Sequence, residues 1–371
     1  MGKTIKYLQY SVTRDILFVF GAGASHPDGV PLQRDILPTI LKDEEIAHSE
    51  IGKIVIKFIK DNFAYDEAAN SYPRLESVFL FLEHFIQQNE SLNKTYTNDV
   101  IHKVKEYLIK LIYFIINKKS EKKSGIYGKF WEEVERRNKN ISIITLNYDT
   151  LLEQAFEPLF KRVGYIDYSI YLMNYNRLDE LKYFNFWINP NKPVETEENE
   201  NPVPFKIIKL HGSLNWKYCN CCNQTLLTPW NKEIDLNKGK LTWYSKKRDA
   251  KFEYVCPLDG TDFETLILTP SFTQKINHRV VTQLLSEAGR EIRVAKKIVF
   301  IGYSLSDADV HIRALFKKHL QKGTKVTVIN PRITKALMLK YQSIAPKAEF
   351  INSSFEKFVK NKELLDITFG F

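Results

Sequence analysis

The chain has 371 residues and is 44% hydrophobic, enough for one large domain with insertions or two ordinary ones around a sizeable core. Its formal charge is +10, from 54 basic and 44 acidic residues. The start, "MGKTIKYLQY", has no apolar signal segment, and the most apolar run, Tyr107 to Asn117, is too short to span a bilayer and contains Lys110, so a soluble, cytoplasmic protein without a membrane partner is expected.

Taken in chain order, Asp15 to Ser25 ("DILFVFGAGAS") reads as a β-rich strand ending in glycines. "VPLQRDILPTILKD" follows with helical spacing, and Pro31 suits a first helical turn. From Leu41 to Arg137 apolar residues recur every three or four positions and glycine is scarce, which predicts a helical insert over 41–137. "NISIITLNYD" (Asn140 to Asp149) is a buried strand and "TLLEQAFEPLF" a helix. Residues 163–262 read as an irregular insert rich in Tyr, Asn, Trp and Pro, holding the Cys cluster and one strand, "FKIIKLHGS". A fourth strand is expected over Phe263 to Phe272, a helix over "VVTQLLSEAGREIRVAKK" and a fifth strand over Lys297 to Asp307. The helix "DADVHIRALFKKHLQ" and a sixth strand, Lys325 to Pro331, complete the pattern. Strands alternating with helices predict an α/β fold: one domain over 1–371 with a Rossmann-like parallel sheet, helices on both faces and a large helical insert.

In an open parallel sheet, ligands bind outside the carboxyl ends of the strands. Here those ends read "GAGAS", "TLNYD", "LHGS", "LTPSF", "IGYSLSD" and "VINP", each with glycine or polar residues. "GAGAS" between a strand and a helix can bring backbone N–H groups close to a phosphate. The dinucleotide fingerprint G-x-G-x-x-G is not met, because His26 stands in place of the third glycine. No acidic residue sits on a second strand about twenty residues later, so an ordinary dehydrogenase is not indicated.

These segments resemble the motifs of the sirtuin superfamily, in family order from Phe20 to Pro331. "GAGAS" with "HPDGVPLQR" is similar to G-A-G-x-S…G-I-P-x-F-R, "TLNYD" to T-Q-N-x-D, and "LHGS" to the H-G motif. "GYSLSD" and "VINP" resemble the later G-T-S and I-N segments. Gln33 departs from the Phe of the F-R pair, and "NYD", "HGSLNW" and "GYSLSD" look closer to the bacterial sirtuin-like NAD⁺ hydrolases of antiviral defence. The resemblance implies NAD⁺ as substrate rather than redox carrier. It assigns Asn147 to the ribose hydroxyl and the attacking water, and His211 to general base, a role that imidazole chemistry suits near neutral pH. Asp149 would orient the nicotinamide amide or stabilise positive charge. Ser25 with the backbone of Gly21, Ala22 and Gly23 would take the pyrophosphate. Gly302 and Ser304 would close over phosphates or ribose, Asn330 would reach the adenosine ribose, and Arg34 holds the family's Arg position. Asp307 and Asp309 can equally cap the next helix or contact ligand.

Family deacylases carry a zinc ribbon of two C-x-x-C pairs. Cys219 and Cys222 match one pair; in the other, Cys256 is followed by Asp259 where the fourth Cys is expected. A relic ribbon without stable metal is therefore the expectation, and zinc is not favoured. Two other readings stay open. One is an NAD⁺-dependent deacylase. The other is a nucleic-acid-binding or nuclease subunit, suggested by basic clusters at Asn117 to Gly125, Ser245 to Lys251 and Phe316 to Lys325, which can as well be solvated surface. A toxic NAD⁺ hydrolase must be silent until triggered, so the resemblance also implies a homo-oligomer controlled by assembly, by a HerA-type ATPase or by nucleic acid.

Overall fold

In this computed structural model the described residues are 6–173, 187–188, 194–196, 201–228, 233–245, 250–268 and 278–370. Short runs of Ile, Val, Phe and Leu, buried on both sides, are the signature of strands inside a parallel sheet; five such runs and two short edge strands pair here. In spatial order they are Glu349–Asn352, Lys325–Asn330, Ala295–Ile301, Arg14–Phe20, Ile141–Thr145, Val203–Lys209 and Gly164–Asp167, all parallel. The register sets the level at which the strands end. Phe20 lies opposite both Thr145 and Ile301, Thr145 opposite Lys209, and Ile301 opposite Ile329. The residues that follow these strands therefore emerge together on one rim.

Helices cover both faces. On strand Val203–Lys209, Phe205 packs edge-on to Trp131 of helix Gly125–Arg137. The next side chain points the other way, as strand geometry requires, and Lys206 pairs with Glu287 of helix Arg279–Val294 at 2.7 Å. That helix buries Val280, Leu284, Ala288 and Ile292, one residue per turn. On the Phe205 face, Phe130 meets Phe18 and Phe20 edge-to-face at 5.1 and 5.2 Å.

The segment 41–137 is helical. Helix Asn98–Lys119 is its spine and packs against Gln33–Lys42, Glu50–Asn62 and Leu75–Gln88. Its buried Ile101, Val104, Leu108, Leu111, Ile112, Ile115 and Ile116 follow the three- and four-residue spacing of a wide apolar face. Ser49 and Ser124 cap two of the helices, their hydroxyls accepting from the N–H of Gly52 and Tyr127. No helix among the described residues is long and apolar enough to cross a membrane.

Three details differ from the sequence expectation. The strand at Glu264–Ile267 is not in the parallel sheet; it runs antiparallel to Gly212–Tyr218 in a separate sheet with Thr225–Leu227. The cause is Gly212, whose φ of +85° swings the chain out of the parallel layer straight after Lys209. Residues 269–272 of that expected strand lie outside the described residues. Two four-residue edge strands, Gly164–Asp167 and Glu349–Asn352, complete the sheet and are too short to show a period. Among the described residues of 163–262 about half of the chain is strand, against the one strand expected.

Candidate active site

From strand Arg14–Phe20 the chain passes to Ile141–Thr145 on one side and later returns as Ala295–Ile301 on the other. The topological switch point of the sheet lies between Arg14–Phe20 and Ala295–Ile301, where such folds open a crevice. Backbones touch here: Gly21 N–H donates to Ile301 O at 3.0 Å, and Gly23 N–H to Gly302 O at 2.9 Å. A Cβ on Gly21 would stand 2.6 Å from Tyr303 Cα. One on Gly302, already at φ +63°, would stand 2.4 Å from Ala24 N. The glycines of "GAG" and "GYS" are thus required by this crossing of two strand ends.

Asn147 follows directly. Leu146 N–H extends the strand pairing to Phe20 O, and Asn147 N–H donates to Thr145 Oγ1. The side-chain Nδ2 donates to Gly21 O and to Ser25 Oγ, both at 3.1 Å. With Nδ2 saturated, the amide orientation is fixed. Its Oδ1 is buried and has no partner. Ser25 is itself fully buried and lies 3.0 Å from Tyr127 OH, so it holds Asn147 from behind. Asp149 is buried too; its Oδ1 accepts from Leu151 N–H, and burial pushes its carboxyl pKa up against the pull of Lys209 and Ser25. Lys209 is wholly buried, pairs with Glu153 at 2.9 Å and donates to Asp149 O. A buried pair of this kind is justified by geometry rather than by net stabilisation.

His211 leaves strand Val203–Lys209 just before the Gly212 turn. A Cβ at Gly212 would lie 1.9 Å from Leu266 O, so glycine is obligatory there on space as well as on φ. Leu268 N–H donates to His211 O at 2.8 Å and ties the turn to the side sheet. The imidazole Nε2 is buried, and Asp309 Oδ1 lies 3.4 Å from it. Tyr303 OH donates to the other oxygen of Asp309 at 2.8 Å. Burial works against the charge of Asp309, but His211, Tyr303 and His311 together hold its pKa below the usual carboxylate range. The His311 ring is 5.8 Å from that of His211; burial, then the neighbouring His211, push its pKa down to about 4.

A cavity of about 60 Å³ closes this arrangement. Ala22, Asn147, Asp149 and His211 line its sheet side; Ile36, Leu75, Ile112 and Ile116 wall it from the helical layer. Gln33 also lines it and donates to Glu76, so the position where the F-R pattern breaks faces the site. Seven of the expected residues do not line the cavity: Gly21, Gly23, Ser25 and Gly302 belong to the strand crossing behind it, where Ser25 supports Asn147 instead of facing a ligand, and the other three are Arg34, Ser304 and Asn330. Arg34 is exposed beside Asp35, Ser304 is exposed, and Asn330 is half-buried with Oδ1 accepting from Arg332 N–H. Asp307 is exposed and pairs with Lys340 at 2.9 Å. Sequence reasoning missed Lys209, Tyr303 and His311. Only the polar density of "GYSLSDADVH", more than a helix cap needs, hinted at the last two.

Away from the crevice, Cys219, Cys222, Cys256 and Asp259 place one ligand atom each within 4.8 Å of one another. Cys222 and Cys256 sulfurs are 3.7 Å apart, and Cys219 Sγ is 3.3 Å from Asp259 Oδ2. A tetrahedral zinc with Zn–S of about 2.3 Å and Zn–O of about 2.0 Å separates two sulfurs by about 3.8 Å and a sulfur from an oxygen by about 3.5 Å. The donor set fits. Bound there, zinc would supply a structural cross-link between the turn after Gly212–Tyr218 and the segment at Cys256. Cys221 is exposed and outside the cluster.

A seven-stranded parallel sheet whose polar strand ends converge at the switch point defines a Rossmann-like α/β protein. The chain belongs to the SIR2-like domain family, whose model matches residues 141–367. The glycine-rich segment and the helical layer precede that matched span. Among solved structures, a Sir2 homologue in complex with NAD is similar at 16% identity and a TM-score of 0.47, covering 96% of this chain and 90% of that one. Sir2Tm bound to a propionylated peptide is similar at 13% identity and a TM-score of 0.42, covering 94% and 91%. No curated protein sequence matches the chain.

Proposed function

We propose that this protein is an NAD⁺ hydrolase: water attacks C1′ of the nicotinamide ribose, the C1′–N bond breaks with its electron pair leaving on nicotinamide, and the water's proton passes to a base. NAD⁺ and water become ADP-ribose, nicotinamide and a proton. The observation that carries the reading is the orphaned Asn147 Oδ1, a buried acceptor held immobile by two hydrogen bonds and set in the same cavity wall as His211. A buried acceptor without a partner costs stability unless a ligand or water supplies the donor. A ribose hydroxyl or an oriented water would do so, and an amide oxygen does not trap the developing cation as an adduct. His211 lines the same cavity and would be the proton acceptor. Asp149, set back in the wall, would face the nicotinamide amide. The N–H groups of Gly21, Gly23 and Gly302 are spent on Ile301 O, Gly302 O and Ile329 O, so the Ala22 N–H would take the pyrophosphate, with Ser304, Asn330 and Arg34 along the outer path of the dinucleotide.

Family membership supports an NAD⁺-directed enzyme. The cavity of about 60 Å³ admits small molecules such as water as it stands, and an acyl-lysine, like the nicotinamide riboside, would need the helical wall to move. A role in depleting NAD⁺ during phage infection rests on the similarity of "NYD", "HGSLNW" and "GYSLSD" to hydrolases of bacterial defence.

The test is NAD⁺ consumption by the purified full-length chain, alone and with the products of neighbouring genes. Asn147→Ala and His211→Ala should each lower the rate by roughly 10²–10⁴-fold with the fold intact by circular dichroism. Undiminished NAD⁺ loss in either folded variant would remove the assignment. Turnover that appears only with an acetylated peptide would make the protein a deacylase.

A further inference from the structure

We propose that Asp309 is the positioning residue of His211: its carboxylate receives the Nε2–H of the imidazole and leaves Nδ1 as the atom that accepts the proton. The inference rests on the hydrolase reading for its kinetic consequence but not for its geometry.

Three observations lead to it. The first concerns what Asp309 does not do. It stands at the N-cap of helix Val310–His319, where an Asp side chain ordinarily accepts from the first free N–H groups. Here it makes no such bond. Instead the side chain turns inward, 6% exposed, and accepts from Tyr303 OH with one oxygen. The Tyr303 bond fixes the rotamer and aims the second oxygen at His211 Nε2, 3.4 Å away.

The second concerns the imidazole. Its Nε2 is buried and makes no hydrogen bond as it stands, with Asp309 Oδ1 at 3.4 Å the acceptor within reach, so a tautomer with the proton on Nδ1 would leave a lone pair facing a carboxylate. The tautomer with the proton on Nε2 converts that repulsion into a charge-assisted hydrogen bond. A neutral imidazole has one proton between two nitrogens, so fixing it at Nε2 frees Nδ1 as an acceptor.

The third concerns the rest of the surroundings. His311 is held neutral beside His211 and does not compete for the carboxylate as a cation. Tyr148, whose ring is 6.2 Å from that of His211, spends its hydroxyl on Leu268 O. Asp309 is therefore the anion at hand. A carboxylate–imidazole pair of this kind sets the tautomer and stabilises the imidazolium that forms when the base takes a proton.

The experiment has two arms on the full-length protein. In the kinetic arm, Asp309→Asn keeps the shape and removes the charge. It should lower kcat for NAD⁺ by roughly 10²–10⁴-fold with KM changed only a few-fold, and should cause no further loss when added to His211→Ala. Tyr303→Phe leaves the carboxylate and loosens its aim, and should lower kcat by a smaller factor. In the second arm, ¹⁵N-histidine labelling reads the tautomer directly, the His211 signals being those absent from His211→Ala. The Nε2–H pattern is expected in the wild type and its loss in Asp309→Asn. A wild-type Nδ1–H pattern, or an Asp309→Asn variant with undiminished kcat, overturns the proposal. If no form of the protein consumes NAD⁺ while the Nε2–H pattern depends on Asp309, the pairing stands and the hydrolase reading falls.

Discussion

Gly302 and Gly128 pose the same question with opposite answers. At Gly302 the backbone is left-handed, at φ +63°, and a Cβ would sit 2.4 Å from Ala24 N. Strain and overpacking each cost about 1–3 kcal/mol, so Gly302→Ala should destabilise the protein by roughly 2–5 kcal/mol in urea unfolding and misplace the Gly21–Gly23 turn. Gly128 lies inside helix Gly125–Arg137 with nothing within 4 Å of a Cβ, so Gly128→Ala should stabilise by about 0.5–1 kcal/mol. Equal effects at the two positions would show that the strand ends do not approach as closely as drawn. The same contrast explains which site residues could be read from the chain. Asn147 and His211 each stand two positions beyond a strand, so knowing the strand places them. Asp309 and His311 depend on where helix Val310–His319 starts against a turn about a hundred residues earlier, and nothing local in "DADVH" encodes that contact. Arg34 stood at a family position, yet its helix turns it outward beside Asp35.

At the scale of elements, the long strands were legible and the short ones were not. Arg14–Phe20 and Ala295–Ile301 are seven-residue runs, nearly all buried. Gly164–Asp167 offers only "GYID", and its pairing comes from its neighbour Val203–Lys209, a tertiary cause. Glu264–Ile267 was legible as a strand but not in its partner, because one glycine redirected the hairpin. The side sheet carries the cysteines, and here the relic expectation is not decided: the four donors are spaced as a zinc site would need, which makes metal content the measurement to take. Asp259 is fixed by the hydroxyl and backbone N–H of Thr261, which hold its carboxyl pKa near about 2 and aim it at Cys219. A relic site has no need for a fourth donor so placed. Purified protein should therefore contain close to one zinc per chain by elemental analysis. Asp259→Ala should lose most of it, and a cobalt-substituted protein should show thiolate charge-transfer bands for three sulfurs. Much less than one zinc in protein never exposed to chelator would restore the relic reading.

At the scale of the whole molecule, the helical layer and the sheet meet at the candidate cavity, and on the hydrolase reading that junction would set how the protein is controlled. The space beside Asn147 and His211, walled on the helical side by Ile36, Leu75, Ile112 and Ile116, has a volume of about 60 Å³, less than a nicotinamide riboside needs. Ile112 and Ile116 belong to helix Asn98–Lys119, whose face is buried against three other helices. A wall held this way moves as a packed unit rather than by single side chains, since close-packed cores switch between arrangements instead of deforming smoothly. On the hydrolase reading the open arrangement would be a minor state, and an activator can favour it only by binding it better than the closed one. With an open population of roughly 0.1–10%, full opening would raise turnover by about 10- to 1,000-fold. The free protein should accordingly be a homo-oligomer of low basal activity, stimulated by a partner protein or nucleic acid that engages the helical layer. The measurement is light scattering joined to an NAD⁺ assay, with and without each candidate activator. A monomer at micromolar concentration that is fully active alone would defeat both halves of the expectation. An oligomer fully active alone would keep the assembly and show that NAD⁺ itself opens the wall, leaving no work for a partner.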